Sequence, residues 1–189
     1  VREGRWQTTI GLDMQDKTLG IVGLGRLGRE MARIGQAFRM NVIAWSQNLT
    51  AEDAAKAGVT RVEKGDLFAQ ADVITLHYKL SERSRGMVDK AAIDAMKPTA
   101  ILVNTSRGPI VDYVALADAL KGGRIGGAGL DVYDNEPLPF DDMMRSLPRT
   151  VLTPHLGYVS HDTYRIFYSE TVENIEAWLK GEPMRLINS

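Results

Sequence analysis

The sequence predicts an α/β protein built on a doubly wound parallel sheet, with helices in outer layers on both faces. Short apolar runs of strand length alternate along the chain with segments of helical periodicity. A glycine-rich stretch, GLGRLG over residues 23–28, stands between the first apolar run and the first helix. We therefore expect three layers in a single domain, with ligands beyond the carboxyl ends of the strands.

The first half of the chain has the order strand, helix, strand, helix, strand. The strands are predicted at residues 18–22, 41–45 and 72–76. The helices are predicted at residues 26–38, where apolar residues recur at near-helical spacing, and at residues 51–57, which Gly58 closes. This order is half of a doubly wound sheet.

The second half repeats the pattern. Further strands are predicted at residues 100–104, 126–132 and 150–152. Asp112 is expected to cap a helix that runs to about Leu120. A last helix is predicted from about Thr163 to Leu179. A broad stripe of its residues is expected to face inward: Tyr164, Phe167, Tyr168, Thr171, Val172, Ile175 and Trp178.

Composition and charge narrow the function classes. The net charge of −1 argues against nucleic acid or an anionic membrane surface as a partner. Because there is no cysteine, disulfides, thiolate zinc sites and a cysteine nucleophile are excluded, and no metal site is predicted. No apolar run approaches the roughly 18 residues of a membrane span. We expect a cytoplasmic protein.

The spacing of Gly23, Gly25 and Gly28 predicts a dinucleotide-binding turn. Gly23 would permit the tight turn, Gly25 would let the backbone approach a pyrophosphate, and Gly28 would let helix and strand pack closely. Such a motif alone is weak evidence, and an ordinary turn is the alternative. Here a strand precedes it and an amphipathic helix follows, which favours dinucleotide binding.

Three chemically active residues follow three successive predicted strands. They are Arg107, Glu136 and His155. Each alone has an ordinary interpretation, as a surface arginine, a loop carboxylate and a loop histidine. Together, at one edge of the sheet, the arginine could bind a substrate carboxylate, and the histidine could exchange a proton with a carbonyl or hydroxyl oxygen. A paired carboxylate would favour the imidazolium. The set suits interconversion of a 2-hydroxy acid and a 2-oxo acid.

Several stretches identify a family resemblance. The chain resembles the nucleotide-binding Rossmann domain of the D-isomer-specific 2-hydroxyacid dehydrogenases, in the stretches KTLGIVGLGRLGRE, LSERSRGMVD, MKPTAILVNTSRGPIVD, GAGLDVYDNEPLP and LTPHLGYVS. The resemblance implies that Arg107 binds the substrate, His155 is the acid/base and Glu136 is its partner. It implies a small 2-hydroxy or 2-oxo acid as substrate and a homodimer.

The resemblance also implies a set of cofactor-binding residues. The backbone at Arg26 and Leu27 would meet the pyrophosphate, and Asp131 would contact the nicotinamide carboxamide. Ser46, His77 and Thr105, which follow or end predicted strands, complete the set with the three glycines. The cofactor is expected to be NAD(H) or NADP(H), with the preference unresolved.

Two positions depart from the family pattern. Ser46 stands where NAD-dependent members usually carry an acidic residue for the adenosine ribose, and no charged residue lies between residues 46 and 51. Lys79 stands where a proline is frequent. We expect Lys79 to be a solvated loop cation. Without an acid at residue 46, we expect weak discrimination between NADH and NADPH.

The family consists of two-domain proteins, and this chain is expected to hold one domain. A Rossmann domain is predicted over residues 1–180, with residues 181–189 as a tail returning toward a substrate domain that the chain lacks. The opening residues resemble the crossing between those domains. The main alternative function is an NAD(H)-binding regulatory module of the corepressor type without metabolic turnover.

Overall fold

A seven-stranded parallel sheet forms the centre of the molecule in a computed structural model, which describes residues 1–8 and 10–187. The strand order is β3-β2-β1-β4-β5-β6-β7, and every neighbouring pair is parallel. The chain therefore starts in the middle of the sheet, winds to one edge, and then returns to wind to the other. The predicted doubly wound α/β fold is confirmed.

The strands and helices have the following bounds. The strands are β1 Thr18–Val22, β2 Asn41–Trp45, β3 Thr60–Arg61, β4 Val73–Leu76, β5 Ile101–Asn104, β6 Gly127–Leu130 and β7 Thr150–Leu152. The helices are α1 Arg26–Ala37, α2 Ala51–Lys56, α3 Lys64–Gln70, α4 Lys90–Asp94, α5 Tyr113–Lys121 and α6 His161–Leu179. Short 3-10 turns lie at Gly108–Ile110 and Met143–Ser146.

Three elements were missing from the sequence prediction: β3, α3 and α4. The strand β3 has only two residues, too few for an alternating pattern. The helix α4 has five residues and begins at a cap, where the Asp89 side chain accepts from the Ala92 N–H. The helix α3 buries just Leu67 and Phe68. Elements this short give no periodic signal.

Two hydrophobic clusters cover the two faces of the sheet. Alternate residues of β1 point to opposite sides, so that Leu19 and Ile21 join one cluster while Val22 joins the other. The first cluster includes Ala32 of α1 and Ala54 of α2. The second includes buried residues of α3, α4 and α5. This alternation explains why short runs of five apolar residues suffice for strands that are buried on both faces.

The chain divides into two compact units, Val1–Pro154 and His155–Ser189. The Rossmann domain predicted over residues 1–180 covers the first unit and most of the second, and this domain assignment stays a prediction. The predicted tail begins at residue 181, and its last two residues lie outside the described part of the chain. Thr9, in the opening segment, lies outside it as well.

The inward stripe predicted for the last helix is wrong. No residue of α6 is buried, and Phe167 and Trp178 are 52% and 69% exposed. A helical apolar pattern identifies which side of a helix is apolar, but it does not supply the surface that covers it. Within their own unit, the rings of Tyr158 and Tyr164 stack at 6.5 Å between centroids.

Asp72, the residue before β4, forms a hydrogen bond with the first residue of β1. One carboxylate oxygen accepts from the Thr18 backbone N–H at 2.8 Å, and the other accepts from Lys97 Nζ at 2.9 Å. Burial acts to raise the pKa of Asp72, but these two hydrogen bonds outweigh it and the net pKa lies below its ordinary value. The carboxylate form is therefore favoured in the folded protein.

We predict that Asp72→Ala lowers the free energy of unfolding at pH 7 by about 2 kcal/mol, because two hydrogen bonds to a charged group are lost. Since the folded pKa is depressed, this contribution is present above about pH 4 and is lost as the pH falls through the folded pKa. Urea unfolding of both proteins at pH 7 and pH 3 measures the difference, with Asp118→Ala on an exposed face of α5 as the control. A difference that persists unchanged at pH 3 would contradict the prediction.

Candidate active site

The three glycines after β1 each have a distinct structural role. Gly23 has φ +101, and a Cβ there would lie 2.6 Å from the His77 carbonyl oxygen. A Cβ on Gly28 would lie 2.1 Å from the Gly23 carbonyl oxygen. A Cβ on Gly25, in contrast, would meet no atom within 4 Å. Two glycines are thus required by the protein's own packing, and the third leaves open space at the start of α1.

The first turn of α1 is suited to an anion. Gly25 is the N-cap and provides no side-chain cap, and the first turn contains no acidic residue. The exposed N–H groups and the positive end of the helix dipole therefore point into open space. The Leu24 N–H is already used, because it donates to Ser46 Oγ at 2.9 Å. Ser46 thereby joins the glycine turn to the end of β2 and keeps its own hydroxyl proton available for donation.

A cavity of about 680 Å³ opens beside this turn. Its walls come from the glycine turn, from the segment after β4 and from the segment after β5: Gly25, Arg26, Leu27, His77, Tyr78, Lys79, Leu80, Thr105, Ser106 and Arg107. Three of these side chains are cationic and none is a carboxylate. Such a cavity attracts a polyanionic ligand. Ser46 is not part of these walls, although it supports them through Leu24.

His77 lies in the cavity wall directly after β4. Its Nε2 is 3.0 Å from Oγ1 of Thr75, which is buried. Burial lowers the pKa of His77, so the ring is neutral at pH 7 and adds no fourth cation. Thr105, which follows the neighbouring strand β5, is an exposed residue of the same cavity.

Tyr78 was not predicted from the sequence to have a role at the site. Its ring stacks on Trp45 with centroids 6.1 Å apart, and its hydroxyl oxygen accepts from the Gln47 N–H at 3.2 Å. A Cβ built on Gly23 would lie 3.1 Å from the ring. Tyr78 therefore links the segment after β4 to the turn after β2. The only sequence signal for Tyr78 is that it is an aromatic residue directly after a predicted strand, between His77 and Lys79.

The loop that carries Arg107 is built around the buried Asn104 at the end of β5. The Asn104 side chain accepts from the Ser106 N–H and donates to the Arg107 carbonyl, both at 3.0 Å. Ser106 Oγ in turn donates to the Tyr78 carbonyl oxygen. Arg107 Nη1 donates to the Ser106 carbonyl, and the guanidinium makes no ion pair with a carboxylate in residues 1–8 and 10–187. The guanidinium can therefore accept an anionic partner.

Gly108 brings this loop against the segment that follows β6. A Cβ on Gly108 would lie 2.1 Å from the carbonyl carbon of Tyr133 and 2.5 Å from the Asp134 nitrogen. No side chain fits at this contact. The same segment holds Glu136, whose Oε1 accepts from the Tyr133 N–H at 2.8 Å. Backbone contact therefore connects the loop of Arg107 with the loop of Glu136.

Asp131 and His155 are the remaining predicted residues. Asp131 is buried at the end of β6, and its Oδ1 accepts from Thr153 Oγ1 at 2.5 Å. His155 is the first residue of the second unit and has a positive φ of 57°. Its ring meets the ring of Tyr158 edge-on, with centroids 5.7 Å apart. The structure thus groups the predicted cofactor residues and Arg107 in one unit, while His155 begins the other.

Comparison with known proteins identifies the family. Residues 1–157 match the family described as D-isomer specific 2-hydroxyacid dehydrogenase, NAD binding domain. The chain belongs to this family. The resemblance stated from the sequence motifs is thereby confirmed.

The relatives cover different substrates. A glyoxylate reductase from Korarchaeum cryptofilum is 40% identical over an alignment of 195 positions, which covers 100% of this chain and 59% of that protein. An acyclic imino acid reductase in complex with NADPH and D-Arg is 31% identical with a TM-score of 0.80, over 99% of this chain and 60% of that one. D-lactate dehydrogenase from Aquifex aeolicus, complexed with NAD and lactic acid, is 29% identical with a TM-score of 0.81. The match covers 92% of this chain and 56% of that one. The chain spans between 56% and 60% of the length of these relatives.

The residues present fit a nicotinamide dinucleotide. Open space at Gly25, an uncapped helix N-terminus without acidic residues, and three cations around one cavity match a diphosphate-containing ligand. The domain binds NAD(H) or NADP(H), and the structures of relatives hold one or the other.

We predict that Gly108→Ala destabilises the protein by about 1–3 kcal/mol, because the new methyl group must displace backbone. Gly65→Ala is the matched control, since Gly65 lies in α3 with no atom within 4 Å of the added Cβ. That substitution is expected to stabilise by about 0.5–1 kcal/mol. Denaturant unfolding of both variants measures the effects, and equal stability of the two would contradict the prediction.

Proposed function

We propose that the protein is an oxidoreductase that transfers a hydride between a nicotinamide dinucleotide and C2 of a D-2-hydroxy acid or 2-oxo acid. The observation that carries the proposal is the placement of Arg107, without a carboxylate partner, in the wall of the same cavity as the glycine turn. A guanidinium there can hold a small carboxylate next to the cofactor. Family membership supports the reaction class.

Arg107 is proposed to orient the substrate. Its planar fork of donors can bind the carboxylate in two parallel hydrogen bonds and polarise the neighbouring carbonyl. Its loop is held by Asn104 and by the close approach of Gly108 to Tyr133, so the guanidinium starts from a fixed backbone position. The bound cofactor supplies the hydride chemistry.

His155 and Glu136 are proposed to handle the proton. During reduction, His155 gives a proton to the carbonyl oxygen, and during oxidation it takes one from the hydroxyl. Glu136, as the partner of the ring, favours the imidazolium and fixes its tautomer. The Glu136 carboxylate is itself positioned by the Tyr133 N–H. These assignments rest on the family resemblance and on the position of each residue after a strand.

The alternative of a regulatory module without turnover receives no support from the relatives compared, which are named reductases and dehydrogenases. The homodimer and the cytoplasmic location stay predictions. Among the described residues, no helix has the length and apolar character needed to span a membrane.

We predict that His155→Gln lowers kcat of the full-length protein by about 10²–10⁴-fold, because general acid–base catalysis is lost. Glu136→Gln is expected to have a milder effect and to move the pH profile of 2-oxo acid reduction toward lower pH. Without the carboxylate, the protonated imidazole is less favoured and needs a higher proton concentration. Steady-state rates between pH 5 and 9 measure both variants. An unchanged profile in Glu136→Gln would refute the pairing.

We predict that the wild-type protein binds NADH and NADPH within about tenfold, or about 1.4 kcal/mol, of each other. Ser46→Asp should weaken the binding of NADPH at least about tenfold relative to that of NADH, because the new carboxylate repels the 2′-phosphate. Ser46→Ala is the control, because it removes the hydrogen bond to Leu24 without adding charge and should affect both cofactors alike. Calorimetric titration measures all three proteins. Rejection of NADPH by about a hundredfold in wild type would overturn this interpretation.

A further inference from the structure

Lys79 is a cation in the dinucleotide cavity that neither the packing nor the proposed reaction uses. It was expected to be a solvated loop residue, and its side chain is exposed, but it forms part of the cavity wall with Arg26 and Arg107. It makes no ion pair with any carboxylate in the part of the chain that the structure describes. A free ammonium group in a cavity for a polyanion is available to the ligand.

The backbone around Lys79 is held in place on both sides. The Lys79 carbonyl accepts from the hydroxyl of Ser84, which is buried, at 2.8 Å. The carbonyl of the preceding Tyr78 accepts from Ser106 Oγ. The ammonium therefore extends from a defined position in the wall rather than from a free loop.

Lys79 directly follows a residue that contacts the turn after β2. In doubly wound folds the end of the second strand meets the adenosine ribose. Tyr78, the residue next to Lys79, reaches that place through its stack on Trp45 and its hydrogen bond from the Gln47 N–H. The segment after β4 thus contacts the turn after β2 at Tyr78, one residue before Lys79.

Two other cations near the end of β2 already have carboxylate partners. Lys56 pairs with Glu52 at 2.9 Å and with Asp53 at 3.4 Å. Arg61 donates to the Leu49 carbonyl and pairs with Glu63 at 2.8 Å. Arg29 donates to the Asp53 carbonyl at 3.5 Å and pairs with no carboxylate among the described residues. A 2′-phosphate at this end would therefore meet no repelling acid at residue 46, and Arg29 and Lys79 are the cations left to pair with it.

We propose that Lys79 is a specificity-determining residue that pairs with the 2′-phosphate of NADP(H). The proposal rests on the dinucleotide-dependent reaction proposed above and extends it to the choice of cofactor. The N-terminus of α1 and Arg26 bind the diphosphate that both cofactors share, so they add affinity without selectivity. Lys79 adds the charge that offsets the extra phosphate and lets NADPH bind nearly as well as NADH.

The test is calorimetric titration of NADH and NADPH into the wild-type protein, Lys79→Met and Lys79→Arg. Lys121→Met, at the exposed end of α5, is the matched control for loss of one positive charge. We expect Lys79→Met to weaken NADPH by about tenfold and NADH by less than about threefold, whereas Lys79→Arg keeps most of the NADPH affinity. The loss of NADPH affinity caused by Lys79→Met should become smaller with added salt, because the proposed ion pair is exposed and is screened. Competition by 2′,5′-ADP and 5′-ADP should show the same selective loss.

Two results would overturn the proposal. If Lys79→Met weakens the binding of NADH and NADPH equally, the ammonium contacts the diphosphate that both cofactors share. If the substitution weakens the binding of neither, Lys79 does not contact the cofactor. Because binding is measured without turnover, these results are separable from failure of the proposed reaction. That failure would appear as intact titrations with no reduction of glyoxylate, hydroxypyruvate or phenylpyruvate by the full-length protein. Absence of dinucleotide binding in wild type would overturn both.

Discussion

Close approach of one backbone segment to another at the carboxyl edge of the sheet is the constraint on which the candidate site depends. At Gly28 and Gly108 a Cβ would fall 2.1 Å from a backbone atom, and at Gly23 it would fall 2.6 Å from one. The contact at Gly23 joins the segments after β1 and β4, and the contact at Gly108 joins the segments after β5 and β6. The hydrogen bond from Ser106 Oγ to the Tyr78 carbonyl connects these two pairs. Because each contact is between backbones, it leaves the side chains of Arg26, Lys79 and Arg107 free to face a ligand.

Burying polar groups and bringing like charges together both destabilise a folded protein, and the hydrogen bonds of the site reduce these penalties. Asn104 is fully buried, yet both polar atoms of its side chain are used by the loop of Arg107. The neutral state of His77 keeps a further buried charge out of the wall. The unbalanced positive charge is thus confined to long, exposed side chains, where water solvates it until an anion binds.

Much of this arrangement could be predicted from the sequence, because strands and helix caps are determined by residues that are close to one another along the chain. Strands such as 18–22 and 41–45 are buried on both faces and give continuous apolar runs, and Asp112 caps α5 as expected. The contacts of Tyr78 with Trp45 and Gln47 could not be predicted, because they depend on β1 lying between β2 and β4. The exposure of α6 is of the same kind, since a sequence pattern does not reveal which surface is present to cover a helix.

The charges around the cavity separate cofactor affinity from cofactor choice. The diphosphate is common to NADH and NADPH, so the helix N-terminus and Arg26, as proposed, would bind both. Choice is decided where β2 ends, and there the chain has neutral Ser46 in place of a repelling carboxylate, with Lys56 and Arg61 occupied by other partners. A lysine on a flexible stem is a weaker device than a bidentate arginine, because more rotamer freedom is lost for each hydrogen bond formed. Tolerance of both cofactors, rather than a strong preference for either, is what we expect from such a combination.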